Sequence, residues 1–315
     1  MSDAHNTESC FHSPDPDRNA FMHAVVYGDL DEVRRLLPLV GDDMRSGRAQ
    51  FKPLHVAAGK NGAELLKLLI PASDMEQRDE AGRNALFPAV VDAECLALLL
   101  PLCDTTVTTT DGRSPMFEAV NTDNVAGVRM LIPHTDLKAT DRFGFTPLMF
   151  AVCKGPNDPR KRTEIAQLIA PLSDANHQDR NGMTALMHAC VDVNLPLVEV
   201  LAPLTDMRLR QRKGRTAFDI AVGNRDWDCA DIMAPFVAIH DEPAVNAAFA
   251  RSKKSKTGGK NAMPRWAACV EARALQDVVA SVSAGAAARE SAELAAQTPA
   301  EPASAAISRQ GGRRI

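Results

Sequence analysis

The chain has 315 residues, of which 45% are hydrophobic and 24% charged, a balance typical of a folded protein rather than a disordered one. Its net charge of −4 provides no overall positive field that would recruit nucleic acid. Only 4% of the residues are aromatic, so the core has to be built from aliphatic side chains and Met. Such a core favours close-packed helices over a strand-rich sandwich.

The N-terminal segment, residues 1–16, is polar and acidic and is expected to be disordered. It contains neither the basic nor the apolar segment of a secretory signal. No apolar run in the sequence is long enough to span a bilayer, so no membrane insertion is expected. The seven cysteines form no Cys-x-x-Cys pair and are expected to be reduced. These features predict a cytoplasmic protein, with secretion as an effector the alternative.

From residue 17 onward, one short pattern recurs along the chain. The segments "DRFGFTPLMFAVC" (Asp141–Cys153) and "DRNGMTALMHACV" (Asp179–Val191) are nearly identical. The Ala near the end of each copy recurs every 30 to 38 residues, at Ala24, Ala57, Ala89, Ala119, Ala151, Ala189 and Ala221. A Gly precedes the last five of them by seven residues, at Gly82, Gly112, Gly144, Gly182 and Gly214. Repetition at this period is the signature of a repeat array.

Each fixed residue of the pattern has a structural reason. Gly fits a tight turn, where a positive φ costs it little. Two residues later come types that cap helix N-termini, namely Asn84, Ser114, Thr146, Thr184 and Thr216, with Asn19 in unit one. A short Ala-containing helix and a second, apolar helix are predicted to follow. The second helix is predicted to end at a Pro, namely Pro38, Pro71, Pro101, Pro133, Pro171, Pro203 or Pro235.

The segment "KPLHVAAGKNG" (Lys52–Gly62) resembles the helix-one signature of ankyrin repeats, T-P-L-H-x-A-A-x-x-G, with Lys52 in place of Thr. The resemblance covers roughly residues 17 to 237. It implies an all-α ankyrin-repeat solenoid of about seven helix-turn-helix units, with a flexible C-terminal tail. It also implies that His55 makes hydrogen bonds within and between units. A monomer that binds an unidentified protein partner, and no small-molecule substrate, is expected.

The sequence departs from this family in ways that make further predictions. Pro-x-x-Asp replaces the usual Gly-Ala-Asp after the second helix, so an altered bend is expected there. Unit five contains an insertion, Gly155–Arg162, which is predicted to be an exposed loop. The predicted organisation is an array at 17–240, a basic linker with an Ala-rich helical segment at 241–296, and a disordered tail at 297–315.

Candidate catalytic and metal-binding groups do not combine into a site. His23 and His188 occupy the same slot in units that are five repeats apart, so they cannot share a metal. His188 and Cys190 are two residues apart and would point to different faces of a helix. We therefore predict no catalytic residue, no metal and no cofactor.

The residues around each turn glycine are the ones that the fold does not dictate. The strongest candidates for partner contact are Arg142, Phe143, Phe145, Arg180 and Met183, and the further candidates are Arg83, Arg113, Arg212 and Arg215. The apolar members of this set are expected to be exposed, and Arg and aromatic residues are common in binding hot spots. Weaker candidates lie on the inner helices, at Tyr27, Lys60, Lys154 and Asp192.

The predicted function is a non-enzymatic scaffold that binds a protein through the concave face and turn tips of the array. One alternative is a bacterial regulatory or host-directed effector, whose array targets a partner while its basic tail, which begins with Arg251–Arg265, carries the activity or the delivery signal. Another is a cysteine hydrolase, which would require a thiolate close to a His.

Overall fold

The computed structural model describes residues 15–45, 52–60, 62–153, 158–254 and 263–272. The chain divides into two units, Met1–Met263 and Pro264–Ile315. In the second unit, the described residues are 264–272, which are helical. The following description concerns the first unit, and the predicted domain boundaries stay predictions.

The described part of the first unit contains fourteen α-helices and no strand, so the prediction of an all-α fold is confirmed. The helices are α1 (Pro16–Tyr27), α2 (Leu30–Arg45), α3 (Pro53–Gly59), α4 (Ala63–Leu69), α5 (Leu86–Ala89), α6 (Ala93–Leu99), α7 (Pro115–Asn121), α8 (Val125–Leu131), α9 (Pro147–Cys153), α10 (Pro159–Ile169), α11 (Ala185–Val191), α12 (Leu195–Leu201), α13 (Ala217–Asn224) and α14 (Trp227–Lys254).

Consecutive helices pack in pairs, and the pairs stack in sequence order. The odd-numbered helices contact one another from α1 to α13 and form one row, which we call the inner row. The even-numbered helices from α4 to α14 contact one another in a second row. A stack of this kind, in which each pair contacts only its neighbours, is the architecture of a repeat solenoid. The exact number of units and the flexible tail stay predictions.

The repeated alanines explain how the inner helices stack closely. Six of them are at most 1% exposed, namely Ala57, Ala89, Ala119, Ala151, Ala189 and Ala221. A methyl side chain at the contact allows two helix axes to approach to about 8 Å, the lower end of the usual range. Because each of these methyl groups lies inside the stack, a larger side chain there would force neighbouring pairs apart.

The Pro-x-x-Asp segments form an altered bend, as the sequence predicts. Four α-helices end before their Pro and continue into a short 3-10 turn that contains it, at Ile70–Ala72, Ile132–His134, Ala170–Leu172 and Ala202–Leu204. In three of the four, a hydroxyl then donates to the helix carbonyl four residues earlier, for example Thr205 Oγ1 to the Leu201 oxygen at 2.9 Å. The following Asp accepts from the amide two residues later, as Asp206 Oδ1 does from Arg208 at 2.9 Å.

The prediction that Pro ends the second helix is wrong in two places. Pro38 lies inside α2 and Pro235 lies inside α14. The long helix α14 instead kinks at Asp241, whose backbone is not helical (φ −148°, ψ 66°). Asp241 Oδ1 accepts from the Ala244 amide at 3.1 Å, so the second half of α14 begins with a side-chain cap.

The predicted caps are present at some units and absent at others. Thr184 Oγ1 accepts from the Met187 amide, and Thr216 forms a reciprocal capping box with Asp219. Ser114 occupies the cap position without a side-chain bond to the helix. Asn19 lies within α1, which begins earlier because Asp15 accepts from the Asp17 amide, so the prediction of a cap at Asn19 is wrong.

The insertion in unit five is not a loop along its whole length. Residues 154–157 lie outside the described part of the chain. From Pro159 onward the insertion is helical and extends α10 to 11 residues. Asp158 caps this helix by accepting from the Arg160 amide at 2.9 Å, and Pro159 follows as the first helical residue. The predicted loop is therefore shorter than the insertion.

Candidate protein-binding face

Five short turns, which we call the tips, connect successive helix pairs at residues 79–83, 109–113, 141–145, 179–183 and 211–215. In each tip the amide of the first residue donates to the carbonyl of the fifth, at 2.8 to 3.0 Å. In the 179–183 tip, Asp179 Oδ1 also accepts from the amides of Asn181 and Met183. The fourth residue is the glycine, with φ between 74° and 81°. Each tip is therefore a closed turn with a fixed backbone.

Backbone hydrogen bonds join the tips to one another. An amide in one tip donates to a carbonyl in the preceding tip, from Thr110 to Ala81, Arg142 to Asp111, Arg180 to Phe143 and Arg212 to Asn181. The N···O distances are 2.9, 2.8, 3.4 and 3.0 Å. This ladder holds the five tips in a continuous row, so their side chains occupy a preformed surface.

Three histidine side chains contact the tips. Two of them lie on inner helices, and the third lies in a return segment before a tip. His55 Nε2 lies 3.0 Å from the Arg83 oxygen, and because a carbonyl only accepts, this nitrogen carries the proton. The family role expected for His55 is consistent with this bond between neighbouring units. His188 Nε2 lies 2.9 Å from Asp179 Oδ2, which is fully buried. His177, in the return segment, lies 3.1 Å from the Gly144 oxygen.

Three of the predicted arginines are engaged within the array. Arg83 pairs with Asp79 at 2.7 Å, and Arg142 pairs with Asp111 at 2.7 Å while its guanidinium lies 4.7 Å from the Phe143 ring centroid. Arg113 pairs with the buried Asp141 at 3.4 Å and lies over the ring of Phe150.

The other three predicted arginines are exposed and make no such pair. Among the described residues, no carboxylate pairs with Arg180, Arg212 or Arg215. Arg215 does approach the side-chain amide of Gln211, at 3.2 Å. These guanidinium groups remain available to a partner.

The apolar tip residues differ in exposure, and the expectation that all are exposed is wrong for two of them. Phe143 is 45% exposed. Phe145 is half-buried because its ring lies 5.3 Å from the ring of His188. Met183 is also half-buried, and it lines a depression beside the next tip.

That depression has a volume of about 350 Å³ and lies between the 179–183 and 211–215 tips. Met183, Val191 and Ile220 form its apolar part, and Arg212, Lys213 and Arg215 line its other side. Val191 is a residue that the sequence analysis missed, and it is 49% exposed at the end of α11. The repeat pattern did not mark it, because the corresponding slots of units one and three also contain Val, at Val26 and Val91.

The weaker candidates lie elsewhere or outside the described residues. Tyr27, at the end of α1, is 75% exposed and stacks on His23 at 4.9 Å. Lys60 and Asp192 are exposed at the ends of α3 and α11, and Lys154 lies outside the described part of the chain. Most of the basic segment, at 255–262, also lies outside it.

The charge of the tips changes along the row. The 79–83 tip contains two acids and one base, and the next three tips contain one of each. The 211–215 tip contains three bases and no acid, because Gln211 stands where three of the other tips have an Asp. The tip row therefore ends in an uncompensated positive cluster.

Three of the thiols have a raised pKa, which keeps them in the protonated form that does not attack. Burial raises the pKa of Cys103 to about 11. Burial and the nearby Asp92 carboxylate raise the pKa of Cys95 to about 12. The contact with Cys190 raises the pKa of Cys229, and burial raises it further. A nucleophilic cysteine requires the opposite shift, so these three thiols give no support to the cysteine-hydrolase alternative.

Metal-binding clusters and membrane-spanning helices are both absent from the described residues. These residues contain no cluster of three or more His, Cys, Asp or Glu side chains that could hold a metal ion. None of their helices is long and apolar enough to cross a membrane.

Comparison with known proteins identifies the fold. The model of the family described as ankyrin repeats (3 copies) matches three times, at residues 21–101, 91–171 and 159–239. The chain belongs to the ankyrin-repeat family. No curated protein matches the sequence significantly. The resemblance seen at Lys52–Gly62 is thus confirmed, and the matched residues span all five tips.

Solved ankyrin domains are similar to this ankyrin-repeat protein in structure. The crystal structure of the ankyrin repeat domain of Bcl-3, a member of the IkappaB protein family, is 26% identical, with a TM-score of 0.58. That alignment covers 70% of this chain and 99% of the Bcl-3 chain. An ankyrin repeat domain from Acinetobacter baumannii AYE is 25% identical, with a TM-score of 0.51, over 57% of this chain and 95% of that one.

Proposed function

We propose that this protein is a non-enzymatic scaffold that binds a protein partner on the inner face, formed by the tips and the inner row of helices. Ankyrin repeats generally mediate protein–protein interaction, and the matched residues include the whole tip row. Within this fold the tip side chains are free to vary, since the turn geometry depends on the backbone, the glycine and the first residue of each tip.

The observation that carries the proposal is the hydrogen-bonded ladder between the tips. A partner that docks on a preformed row loses little entropy from ordering the row itself. Phe143 and Arg180 project from bonded backbone positions, and both are exposed. Phe143 also has the guanidinium of Arg142 beside its ring, so the pair offers an apolar face with a charged edge. Exposed aromatic and Arg side chains on a rigid support are the usual composition of a binding hot spot.

The test is a pull-down with the full chain and with Arg142→Ala/Phe143→Ala. We expect the wild type to retain a partner that this variant loses, because truncation of a hot-spot pair costs about 2 kcal/mol or more of binding free energy. The matched control is Arg129→Ala/Leu172→Ala, which removes an exposed Arg and an exposed Leu from the even-numbered row. A partner lost equally by both variants, or by neither, would contradict binding through the tips.

The effector alternative is tested by truncation. Our expectation is that a chain ending at Lys254 retains the partner, since the tips and helices are intact. The cut belongs after Lys254 rather than before Arg251, because α14 extends that far and buries Val245, Ala248 and Ser252. If partner binding survives but the cellular phenotype disappears, the segment beyond Lys254 carries the activity and the effector function replaces the simple scaffold.

A further inference from the structure

The last tip, residues 211–215, differs from the other four in its charge. Arg212 and Lys213 are exposed, and Arg215 is exposed on the same tip. The tip has no carboxylate of its own, whereas Asp79, Asp141 and Asp179 hold the first position of three other tips. The positive charge here is therefore not neutralised locally.

The acids closest in sequence do not compensate for this charge. Asp219 lies 3.7 Å from Arg210 and accepts from the Thr216 amide at 3.0 Å, so it serves the cap of α13. Asp179 accepts two amides of its own tip and contacts His188. Asp192, which follows the last residue of α11, is exposed. Arg212, Lys213 and Arg215 line the depression, and the described residues that line it include no carboxylate.

We propose that the depression beside the 211–215 tip binds an acidic linear segment of the partner protein, which inserts one apolar side chain between Met183 and Val191. This inference rests on the proposed function and specifies the chemistry of the partner. Carboxylates of the segment pair with Arg212, Lys213 and Arg215. Its aliphatic or aromatic side chain packs against Met183, Val191 and Ile220.

The shape of the site favours an extended peptide over the other anionic ligands. The depression is partly open to solvent, whereas typical small-molecule pockets bury most of their ligand. A single-stranded nucleic acid would stack its bases on aromatic side chains between the cations, and the 211–215 tip has none. An inorganic anion would use the cations but would leave Met183 and Val191 uncovered.

The backbone beneath the cations is already fixed. The Arg212 amide donates to the Asn181 oxygen at 3.0 Å, and the Gln211 amide donates to the Arg215 oxygen at 3.0 Å. The Gly214 oxygen accepts from Arg210 Nη1 at 2.7 Å. Only the outer parts of the basic side chains therefore lose freedom when a segment binds.

The test uses random peptides displayed on phage and selected against the full chain. We expect the selected peptides to combine Asp or Glu with one apolar residue, and a fluorescein-labelled synthetic copy to bind more weakly as salt concentration rises. Arg212→Gln/Lys213→Gln should raise its Kd by about fivefold to tenfold, since each exposed ion pair contributes modestly. The matched control is Arg160→Gln/Lys161→Gln, which removes an equally exposed Arg-Lys pair from α10 and should leave the Kd unchanged.

A second pair of variants tests the apolar contact. Val191→Asn should raise the Kd of the same peptide by about threefold, while Val91→Asn should have no effect. Val91 is a suitable control because it is 52% exposed and occupies the corresponding slot of unit three, whose tip contains two acids and one base.

The outcomes separate this inference from the proposed function. If the selected peptides lack acids, or if the Arg212→Gln/Lys213→Gln variant binds them as the wild type does, the inference is wrong. It is also wrong if the selection yields no peptide that depends on this tip. In each case the pull-down with Arg142→Ala/Phe143→Ala still decides, independently, whether the tip row binds a protein.

Discussion

Left-handed backbone occurs at two kinds of turn in this array, and only one kind uses glycine every time. Every tip between helix pairs has a glycine at this position, with φ between 74° and 81°. Among the described turns within pairs, Gly28 adopts a φ of 73°, but Asp123, Val193 and Arg225 adopt φ values of 51°, 54° and 61°. The conformation alone therefore does not explain why the tips use only glycine.

The space around the two kinds of turn explains the difference. A Cβ atom built on Gly182 would lie 3.1 Å from the Arg212 nitrogen and 3.2 Å from the Gln211 Cα atom, in the backbone of the next tip. Val193 lies in a turn open to solvent and is 52% exposed. At Gly112, Gly144 and Gly182, glycine permits both the positive φ and the close approach of the next tip. In the turns within pairs, a residue with a side chain at the left-handed position costs stability only through backbone strain.

The largest effect is expected for Gly182→Ala. The left-handed conformation costs an Ala about 1–2 kcal/mol, and the contact with the next tip adds about 1–3 kcal/mol. We expect the free energy of unfolding, measured by urea denaturation, to fall by about 3 kcal/mol. Gly214→Ala separates the two costs, because nothing lies within 4 Å of a Cβ at Gly214 and only the strain remains. Equal losses for the two variants would show that tip-to-tip packing does not require the glycine.

The next effect concerns the carboxylate that closes a tip. Asp179 is fully buried and accepts from the amides of Asn181 and Met183 and contacts His188. Asp179→Ala leaves these donors without their partner, so we expect a loss of about 2 kcal/mol of unfolding free energy. Asp136 is the control, since it is exposed and accepts only from the Lys138 amide. If Asp136→Ala lowers the free energy of unfolding as much as Asp179→Ala does, an Asp side chain stabilises a tip no more than it stabilises a Pro-x-x-Asp bend.

The sequence predicted the parts of this molecule that local chemistry determines. The tip glycines, the Thr184 cap and the altered Pro-x-x-Asp bend depend on a few neighbouring residues, and the structure has them. Asn19 lies inside a helix because Asp15, four residues earlier, caps it first. Pro38 fits within α2, which a rule based only on local sequence did not anticipate.

The candidate site was harder to predict because its side chains are arranged by contacts between units. Phe145 is half-buried against His188, which lies 43 positions later in the chain. Arg142 is paired with Asp111 of the preceding tip, and the ion pair depends on the stacking distance rather than on either tip alone. The sequence therefore predicted where the tips are, while the contribution of each residue to partner binding stays a prediction.

A smaller effect, with the opposite sign, is expected at Val193. A β-branched residue with a positive φ is strained, and Val193→Gly relieves about 1–2 kcal/mol while it adds about 0.4–1 kcal/mol of unfolded-state entropy. We expect the free energy of unfolding to rise by about 0.5–1 kcal/mol in urea denaturation. Val191→Gly, two residues earlier in α11, should instead lower it by about 0.5–1 kcal/mol, because helical backbone disfavours glycine. A loss at both positions would contradict the strain at Val193.

The smallest expected effect is a change in pH dependence at the bond between a helix and a tip. Burial lowers the pKa of His55, although its bond to the Arg83 carbonyl opposes this shift. Its Nδ1 is buried without a hydrogen-bond partner, so a second proton bound there would find no acceptor. Because the pKa is lower in the folded state, the unfolded state binds more protons as pH falls below about 6.5, the usual value for His. Stability from neutral His55 is thus fully present above that pH and decreases below it.

Urea unfolding between pH 7.5 and 5.5, about one unit to each side of that value, tests this dependence. The free energy of unfolding should depend less on pH for His55→Gln than for the wild type, whereas His134→Gln, at an exposed position, should follow the wild type. Parallel curves for all three proteins would mean that His55 titrates alike in the folded and unfolded chain, and that its contact with the tip does not depend on the neutral ring.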